Sequence, residues 1–522
     1  MSATPALIPL LPAVLMAMGA LILSRFAAIT RPWRVFMPLC ALACVASLYG
    51  AWPHAQRPTG LPWLALTPLS GLLAALVQWL GTVIGAFSAR YLEGEGGQKR
   101  YAASLTGMLA AVHLLLLANH WLVLIAAWSL IGVALQHLLC FYGERPFARL
   151  AAHKKRLADR LADLLLLAAA LLAWHEAGSG SLSDLASYIS VHGASPALQC
   201  SAVCLALAVV LRTALLPVHG WLIQVMEAPT PVSALLHAGV VNLGGFVLIR
   251  FATLLDHAPA ARWLLVAMGL TTAVLAGLVM LTRITIKVRL AWSTVAQMGF
   301  MVLECGLGLY TFAALHLLGH SLYKAHHFLS ASSVVRQARL QMMQDPESVH
   351  PASLLVAPVA AAAVLQTLHG AGGAAAWPWW WTVSLALAWA PLLWLPRKHA
   401  IGATLRRAVA GLIMLAGLGV AASLAHILPL GLRDAPGTAS GLLALSGLAA
   451  LYGCLTLLQC RAQTLATWRC WSYAGFYIDE YYTRLTLLLW PTPWTAAATP
   501  AAPNPATWTA NANANASAAN VY

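Results

Sequence analysis

Three side chains carry the clearest chemistry in this sequence: His316, His320 and Lys324, spaced four residues apart within an apolar stretch, Tyr310 to Val335. That spacing places all three on one stripe of a single helix. An ammonium group at bilayer depth costs several kcal/mol unless it is paired or faces water. One imidazole in such a helix is ordinarily a structural polar contact. A lysine flanked by two imidazoles on the same face points instead to a relay for protons or another cation.

A second constellation lies upstream. The run from Glu227 to Ala238 reads EAPTPVSALLHA, with Pro229 and Pro231 flanking a threonine in apolar sequence. Prolines free backbone carbonyls and interrupt helices, and inside a membrane this is tolerated only where the break lines a cavity or is covered by protein. His237 follows that predicted break. Arg212 sits in another apolar segment, five residues before Pro217, which predicts a second broken span carrying a fixed cation.

These groups require a membrane scaffold. The chain has 522 residues, 61% of them apolar and only 9% charged. A soluble fold does not bury that much apolar surface, so an all-α, polytopic membrane helical bundle is expected. A span needs about 20 apolar residues. Candidates fall at 6–24, 35–53, 66–89, 101–118, 120–142, 161–175, 199–226, 230–255, 263–282, 288–306, 310–335, 352–369, 377–396, 407–428 and 439–459, giving about 13–15 transmembrane helices, with 161–175 the shortest.

The formal net charge of +15 is explained by topology and not by nucleic acid. Most of the Lys and Arg residues cluster in alternate connections: Arg25, Arg31 and Arg34; Arg90, Lys99 and Arg100; the basic stretch 143–160; Arg283, Lys287 and Arg289; Arg336 and Arg339; Arg397, Lys398, Arg406 and Arg407; and Arg461, Arg469 and Arg484. The positive-inside rule then predicts an N-terminus outside (periplasmic) and a C-terminus in the cytoplasm. The Gly/Ser-rich stretch 177–197 has no Lys or Arg and belongs outside. No cleavable signal pattern is evident. None of the nine cysteines forms a CxxC, and they read as small apolar core residues.

Three parts are expected along the chain. Residues 1–460 form the transmembrane domain. Residues 461–494 form a cytoplasmic amphipathic segment, rich in Trp and Tyr, that either lies on the membrane surface or docks a partner. Residues 495–522, with repeated Asn-Ala, form a disordered tail.

The motifs together resemble a known family. The stretch LPVHGWLIQVMEAPTPVSALLHA (Leu216 to Ala238), the stretch Ile286 to Gly299, and Leu315 to Ala325 resemble, in order, signatures of the antiporter-like subunits of respiratory complex I and of Mrp-type cation/proton antiporters. The resemblance covers about residues 75–340 and implies the antiporter-like fold with two broken helices. It also implies a chain of ionisable groups near the midplane. Lys324 would be the central lysine, on a broken helix, with His316 and His320 lining the path and His237 on the connecting broken helix. Arg212 falls where the family usually has a lysine paired to a glutamate, and Arg160 and Asp163 match an Arg and an Asp at the start of the sixth span. Lys324, His316, His320, His237, Arg212, Glu227, Asp163 and Arg160 are thus the ion-translocation candidates, with Pro217, Pro229 and Pro231 at the helix breaks.

Departures from the family pattern narrow the resemblance. The glutamate that follows a tryptophan in the fifth span is replaced, since Trp128 precedes Ser129. Arginine at 212 stays protonated and cannot readily exchange a proton. Thr285 stands where an aspartate is expected, and neither 352–369 nor 377–396 holds a lysine or glutamate. No long lateral helix is expected. A shortened chain of this kind, ending in GFYIDEYYTRLTLLLWP (Gly475 to Pro491), resembles the DabB-type membrane subunits of two-component bacterial inorganic-carbon accumulation systems. That resemblance implies an inner-membrane subunit that conducts H+ or Na+ and is not itself an enzyme. It also implies a soluble, carbonic-anhydrase-like DabA-type partner that carries the zinc and hydrates CO2, with no cofactor in this chain. The alternative is a subunit of a complex I or Mrp-type assembly. His316 and His320 alone lack a third metal ligand, and His326 and His327 read as pore or interface lining.

Overall fold

The computed structural model describes residues 8–26, 29–51, 61–331, 349–372, 377–397, 401–461, 463 and 465–492, with the backbone alone at 369–372. The expected tail 495–522 and the basic residues Arg57, Arg336, Arg339 and Lys398 lie outside the described residues.

Helices account for nearly all of the regular structure: α1 (Leu11–Arg25), α2 (Trp33–Ala51), α3 (Pro68–Tyr91), α4 (Gln98–Leu117), α5 (Trp121–Leu139), α6 (Pro146–Ala177), α7 (Leu182–His192), α8 (Pro196–Arg212), α9 (Gly220–Gln224), α10 (Thr230–Leu235), α11 (Leu243–Arg250), α12 (Ala252–Asp256), α13 (Pro259–Leu281), α14 (Ile286–Leu307), α15 (Tyr310–Leu329), α16 (Pro351–Gly372), α17 (Trp379–Trp389), α18 (Ile401–Ile427), α19 (Thr438–Cys460), α20 (Ala466–Tyr473) and α21 (Ile478–Leu489). Eleven helical segments among the described residues are long and apolar enough to cross a membrane, and Pro196–Arg212 and Trp379–Leu393 are shorter apolar helices. With α6 and α15, they occupy every position at which a span was expected.

The apolar residues divide into two cores. The larger runs from Met16 through Trp121, Trp221 and Phe246 to Phe328. The second joins Val266, Leu303 and Leu307 to Trp380, Trp381, Leu415 and Ala444. Helix α14 belongs to both, because successive residues of one helix point to different sides. Its crossing with α13 depends on glycine. A Cβ on Gly269 would lie 2.6 Å from the Leu303 nitrogen, and one on Gly299 would lie 2.7 Å from the Ala273 nitrogen. Large apolar side chains such as Val45, Leu164 and Ile413 are exposed, as on a surface that faces lipid.

Two expectations are corrected. The basic stretch 143–160 is not a loop: from Pro146 it is the first half of α6, whose 32 residues run to Ala177. Its buried residues Ala148, Ala151, Ala152, Lys155, Ala158, Asp159, Ala162, Leu166 and Ala169 recur at helical spacing, so a small-residue stripe continues through the charged part. The stretch 177–197 is a connection between spans and contains α7, capped by Ser181, whose hydroxyl accepts from the Asp184 nitrogen. The lysine-bearing helix is not broken within the described residues, because α15 is continuous through Lys324 to Leu329.

The breaks lie elsewhere. Helix α8 stops at Arg212, Ala214 adopts a left-handed backbone (φ 56°), and the chain passes the cis Leu216–Pro217 peptide into the short α9. Pro229 and Pro231 do not interrupt a helix in mid-membrane. They occupy the N-cap and first turn of α10, where a missing N–H costs nothing. The interruption inside that span is a π-helical turn, Leu236–Val240, in which the Val241 N–H donates to the Leu236 carbonyl at 3.3 Å. Such turns are frequent at functional sites, and this one holds His237.

Candidate ion path

The first half of the site is built by α5, α6 and α8. The Lys155 ammonium is hydrogen-bonded to Asp159, one turn further along α6. Arg212, at the end of α8, faces Asp159 with Nε 3.9 Å away and donates through Nη2 to Asp163 Oδ1. Ser129 Oγ donates to the same Asp163 oxygen at 2.8 Å. The Arg212 guanidinium lies over the Trp128 ring (4.8 Å), and Lys155 Nζ lies over Trp221 at 4.8 Å. Two cations and two carboxylates thus neutralise one another where single charges would be prohibitive.

Lys154, fully buried, points to the other side of α6 and donates to Asp479 Oδ1 at 2.9 Å. Asp479 opens α21, and its second oxygen accepts from Gln224 Nε2 at 3.3 Å. A Cβ at Gly220 would run into the Asp479 carboxylate. His153 contacts the Trp490 carbonyl at 3.0 Å, and Arg283 lies over the rings of Trp292 (5.3 Å) and Tyr473 (5.8 Å). The aromatic segment 466–490 is therefore strapped onto α6, α9 and the α13–α14 connection, while Trp468, Trp471, Tyr481 and Leu488 remain exposed.

The centre joins the two halves. His237 is fully buried and stacks on Phe328, with ring centroids 4.6 Å apart and 9° between planes. Phe328 lies one turn beyond Lys324, so His237 stands beside the next turn of the stripe. Neither ring nitrogen of His237 has a hydrogen-bond partner among the described residues. Asn242 Nδ2 donates to Ser321 Oγ at 2.7 Å and ties the π-turn segment to α15.

In the second half, Lys324 is fully buried and, among the described residues, has no carboxylate partner in contact. Its ammonium donates to the Leu290 carbonyl at 2.9 Å and to Ser293 Oγ at 2.8 Å, both on α14. His320 is also buried, and both of its ring nitrogens lack partners among the described residues. His316 follows, 6.1 Å from His320 between ring centroids, and its Nδ1 is 2.9 Å from Glu304 Oε2.

The structure thus sorts the predicted residues. Lys324, His320, His316 and His237 form one contiguous group, and Arg212 and Asp163 belong to the other half. Glu227 and Arg160 join neither. Glu227 makes a half-exposed pair with Arg145 at 3.4 Å, of a kind worth little. Arg160 is exposed on the outer side of α6. Four charged residues were missed. Lys154, Lys155 and Asp159 read as loop charges, although the alanine stripe running through them was a visible signal. Glu304 is a lone acid in an apolar span, and that alone marks a residue for attention. Among the described residues, no group of three or more His, Cys, Asp or Glu is placed to hold a metal ion.

Residues 118–370 match the family described as NADH:quinone oxidoreductase/Mrp antiporter, transmembrane. The probable inorganic carbon transporter subunit DabB of Hydrogenovibrio crunogenus is 37% identical over 451 residues, covering 82% of this chain and 84% of that one. The probable inorganic carbon transporter subunit DabB2 of Halothiobacillus neapolitanus is 44% identical over 315 residues, 58% of this chain and 57% of the relative. The NADH-quinone oxidoreductase subunit L of Mycobacterium tuberculosis is 33% identical over 276 residues, 52% of this chain and 43% of its own. Among solved structures, a chain of the Mrp complex from Dietzia sp. DQ12-45-1b shares the fold with a TM-score of 0.60 at 23% identity, over 99% of this chain and 60% of that chain.

Proposed function

The chain belongs to the DabB family of inorganic carbon transporter subunits, and from that premise we propose that it conducts H+ or Na+ to energise inorganic-carbon accumulation by a soluble partner. The observation that carries this reading is Lys324: a fully buried ammonium held, among the described residues, only by neutral oxygens, on a stripe that continues through two imidazoles. A structural lysine at that depth would be expected to carry a carboxylate counter-charge. One that must give up and regain its charge is better served by neutral partners.

In the proposed cycle, cations pass along His237, Lys324, His320 and His316 down their gradient. The Lys155–Asp159–Arg212–Asp163 cluster is a fixed, balanced set of charges beside them. Arginine holds its proton throughout, so this half orients and neutralises, and exchange falls to the Lys324 half. A potential of about 100 mV supplies about 2.3 kcal/mol per charge, enough to bias a hydration equilibrium strongly toward bicarbonate. The zinc and the CO2 chemistry would reside on the partner, a soluble, carbonic-anhydrase-like DabA-type subunit. The proposed location is the bacterial inner membrane, and the Lys/Arg asymmetry supports a periplasmic N-terminus and a cytoplasmic C-terminus. The strap 466–490 lies at the basic end, where its exposed aromatics suit it to meet the partner.

The replacement of the fifth-span acid by Ser129 speaks against the complex I or Mrp-type assignment, as does the extent of the matches. The chain spans 84% of the DabB relative and 43% of the oxidoreductase subunit. The test is growth that depends on accumulated inorganic carbon in cells producing this chain with its partner. Growth should require both proteins and stop when an ionophore collapses the gradient. Growth that survives collapse of both proton and sodium gradients would refute the reading.

A further inference from the structure

The stripe of His316, His320 and Lys324 does not end at an imidazole. Glu304, on α14, is 3% exposed, and the polar group in contact with it is His316 Nδ1 at 2.9 Å. A carboxylate at that depth needs a reason to be there. The second observation is a cavity of about 630 Å3 at the seam between the two apolar cores. Ser293, Gln297, Glu304, His316 and His320 supply its polar wall, and Phe300, Leu385 and Trp389 part of its apolar wall. Ser293 is also the hydroxyl that receives the Lys324 ammonium. One space therefore touches both ends of the stripe, and it is roomy enough for several water molecules. The unpartnered nitrogens of His320 and the free Nε2 of His316 belong to the rings that line it. Across the cavity stands the helix Trp379–Leu393, which carries no acidic or basic residue, so Glu304 supplies the charge that this segment lacks.

We propose that Glu304 and His316 form a proton-exchange pair that terminates the Lys324 stripe and is served by this cavity. The inference rests on the reading of Lys324 as part of an ion path. In one transfer, doubly protonated His316 passes its Nδ1 proton to Glu304 Oε2, leaving a neutral imidazole and a neutral carboxylic acid. The acid releases that proton to water in the cavity and becomes a carboxylate again, while His316, still protonated at Nε2, regains a proton at the vacated Nδ1 from the His320 side through water in the cavity. Charge and protons balance, and the gradient sets the direction. The wall suits a proton better than a hard metal cation, which wants a shell of several oxygens. The Ser293 hydroxyl is already engaged by Lys324, and the Tyr452 hydroxyl donates to the Leu354 carbonyl at 2.7 Å. Beyond Glu304 the next titratable pair is His426 and Asp434, 3.3 Å apart. Asp434 also accepts from the Thr311 nitrogen at 2.8 Å, which holds this pair at the start of α15.

The test uses the full chain, co-produced with its partner, in membrane vesicles. Proton and sodium fluxes are measured separately for the native chain, Glu304→Gln, Glu304→Asp and Lys324→Ala. Glu304→Gln keeps the shape and a hydrogen bond to His316 but cannot take up a proton. Proton flux should fall about 100-fold, the scale of a positioned proton-transfer group, with insertion unchanged and partial recovery in Glu304→Asp. Native flux in Glu304→Gln alongside a silent Lys324→Ala would overturn the exchange pair and leave the ion-path reading standing. Native flux in Lys324→Ala would overturn the ion-path reading itself. A native flux carried by sodium would also overturn the pair. Should Glu304→Gln fail to insert, the native chain's infrared difference spectrum decides: a carboxyl band that appears and vanishes with the imposed proton gradient, and is absent when His316 is replaced by glutamine, supports the pair, and its absence refutes it.

Discussion

Ser129 Oγ donates to Asp163 Oδ1 at 2.8 Å, and that same oxygen accepts from Arg212. The fifth span carries no acid, yet the cation of the broken helix has a counter-charge, because the carboxylate comes from α6. Substituting Ser129 by glutamate should therefore impair the protein. A second acid would stand against Asp163, and like charges in one site disfavour joint ionisation. The expected outcome is lower carbon-dependent growth and a lower melting temperature in detergent; native behaviour would show that Asp163 does not fill the missing place.

Arg212→Ala leaves Asp159 and Asp163 facing Lys155 alone. Removing one partner of a buried charge cluster costs about 3–5 kcal/mol, so thermal stability should fall markedly. Arg212→Lys keeps the charge but cannot reach both carboxylates with a planar fork. It should recover stability only in part. Full activity in Arg212→Lys would mean that a positive charge is needed there but its permanence is not.

Asp479→Ala should strand the fully buried Lys154 ammonium and loosen the strap 466–490. Limited proteolysis should release C-terminal fragments sooner than from the native chain. Gly220→Ala should act similarly, since its methyl would enter the space of the Asp479 carboxylate. Unchanged proteolysis in both would show that the strap is held by its aromatic contacts alone.

Gly299→Ala should push α13 and α14 apart, because backbone atoms of Ala273 and Gly269 oppose the added carbon. Overpacking of this kind costs about 1–3 kcal/mol. Ser293 and Glu304 ride on α14, so ion flux should fall along with the melting temperature.

The sequence showed the spans and the lysine stripe because both are local patterns: apolar runs of the right length, and a four-residue spacing on one helix. The position of His237 was also legible, although its surroundings were not. A π-turn leaves little trace in composition, whereas the two prolines nearby were conspicuous and drew the predicted break to themselves. Lys154, Lys155 and Asp159 were misplaced because basic residues normally mark loops. Only their partners on α8 and in the strap, remote in sequence, make their burial tolerable. Glu304 lacked any neighbour in sequence that would reveal His316 across the helix pair, although its presence in an apolar span was itself a signal.

Lys324 is proposed to titrate in the path. Its most direct test is accumulation of labelled inorganic carbon by cells producing Lys324→Ala with the partner, after the variant is shown to insert at native abundance. Accumulation should fall by at least about 100-fold, the scale of a removed proton-transfer group. Accumulation at the native rate would contradict it.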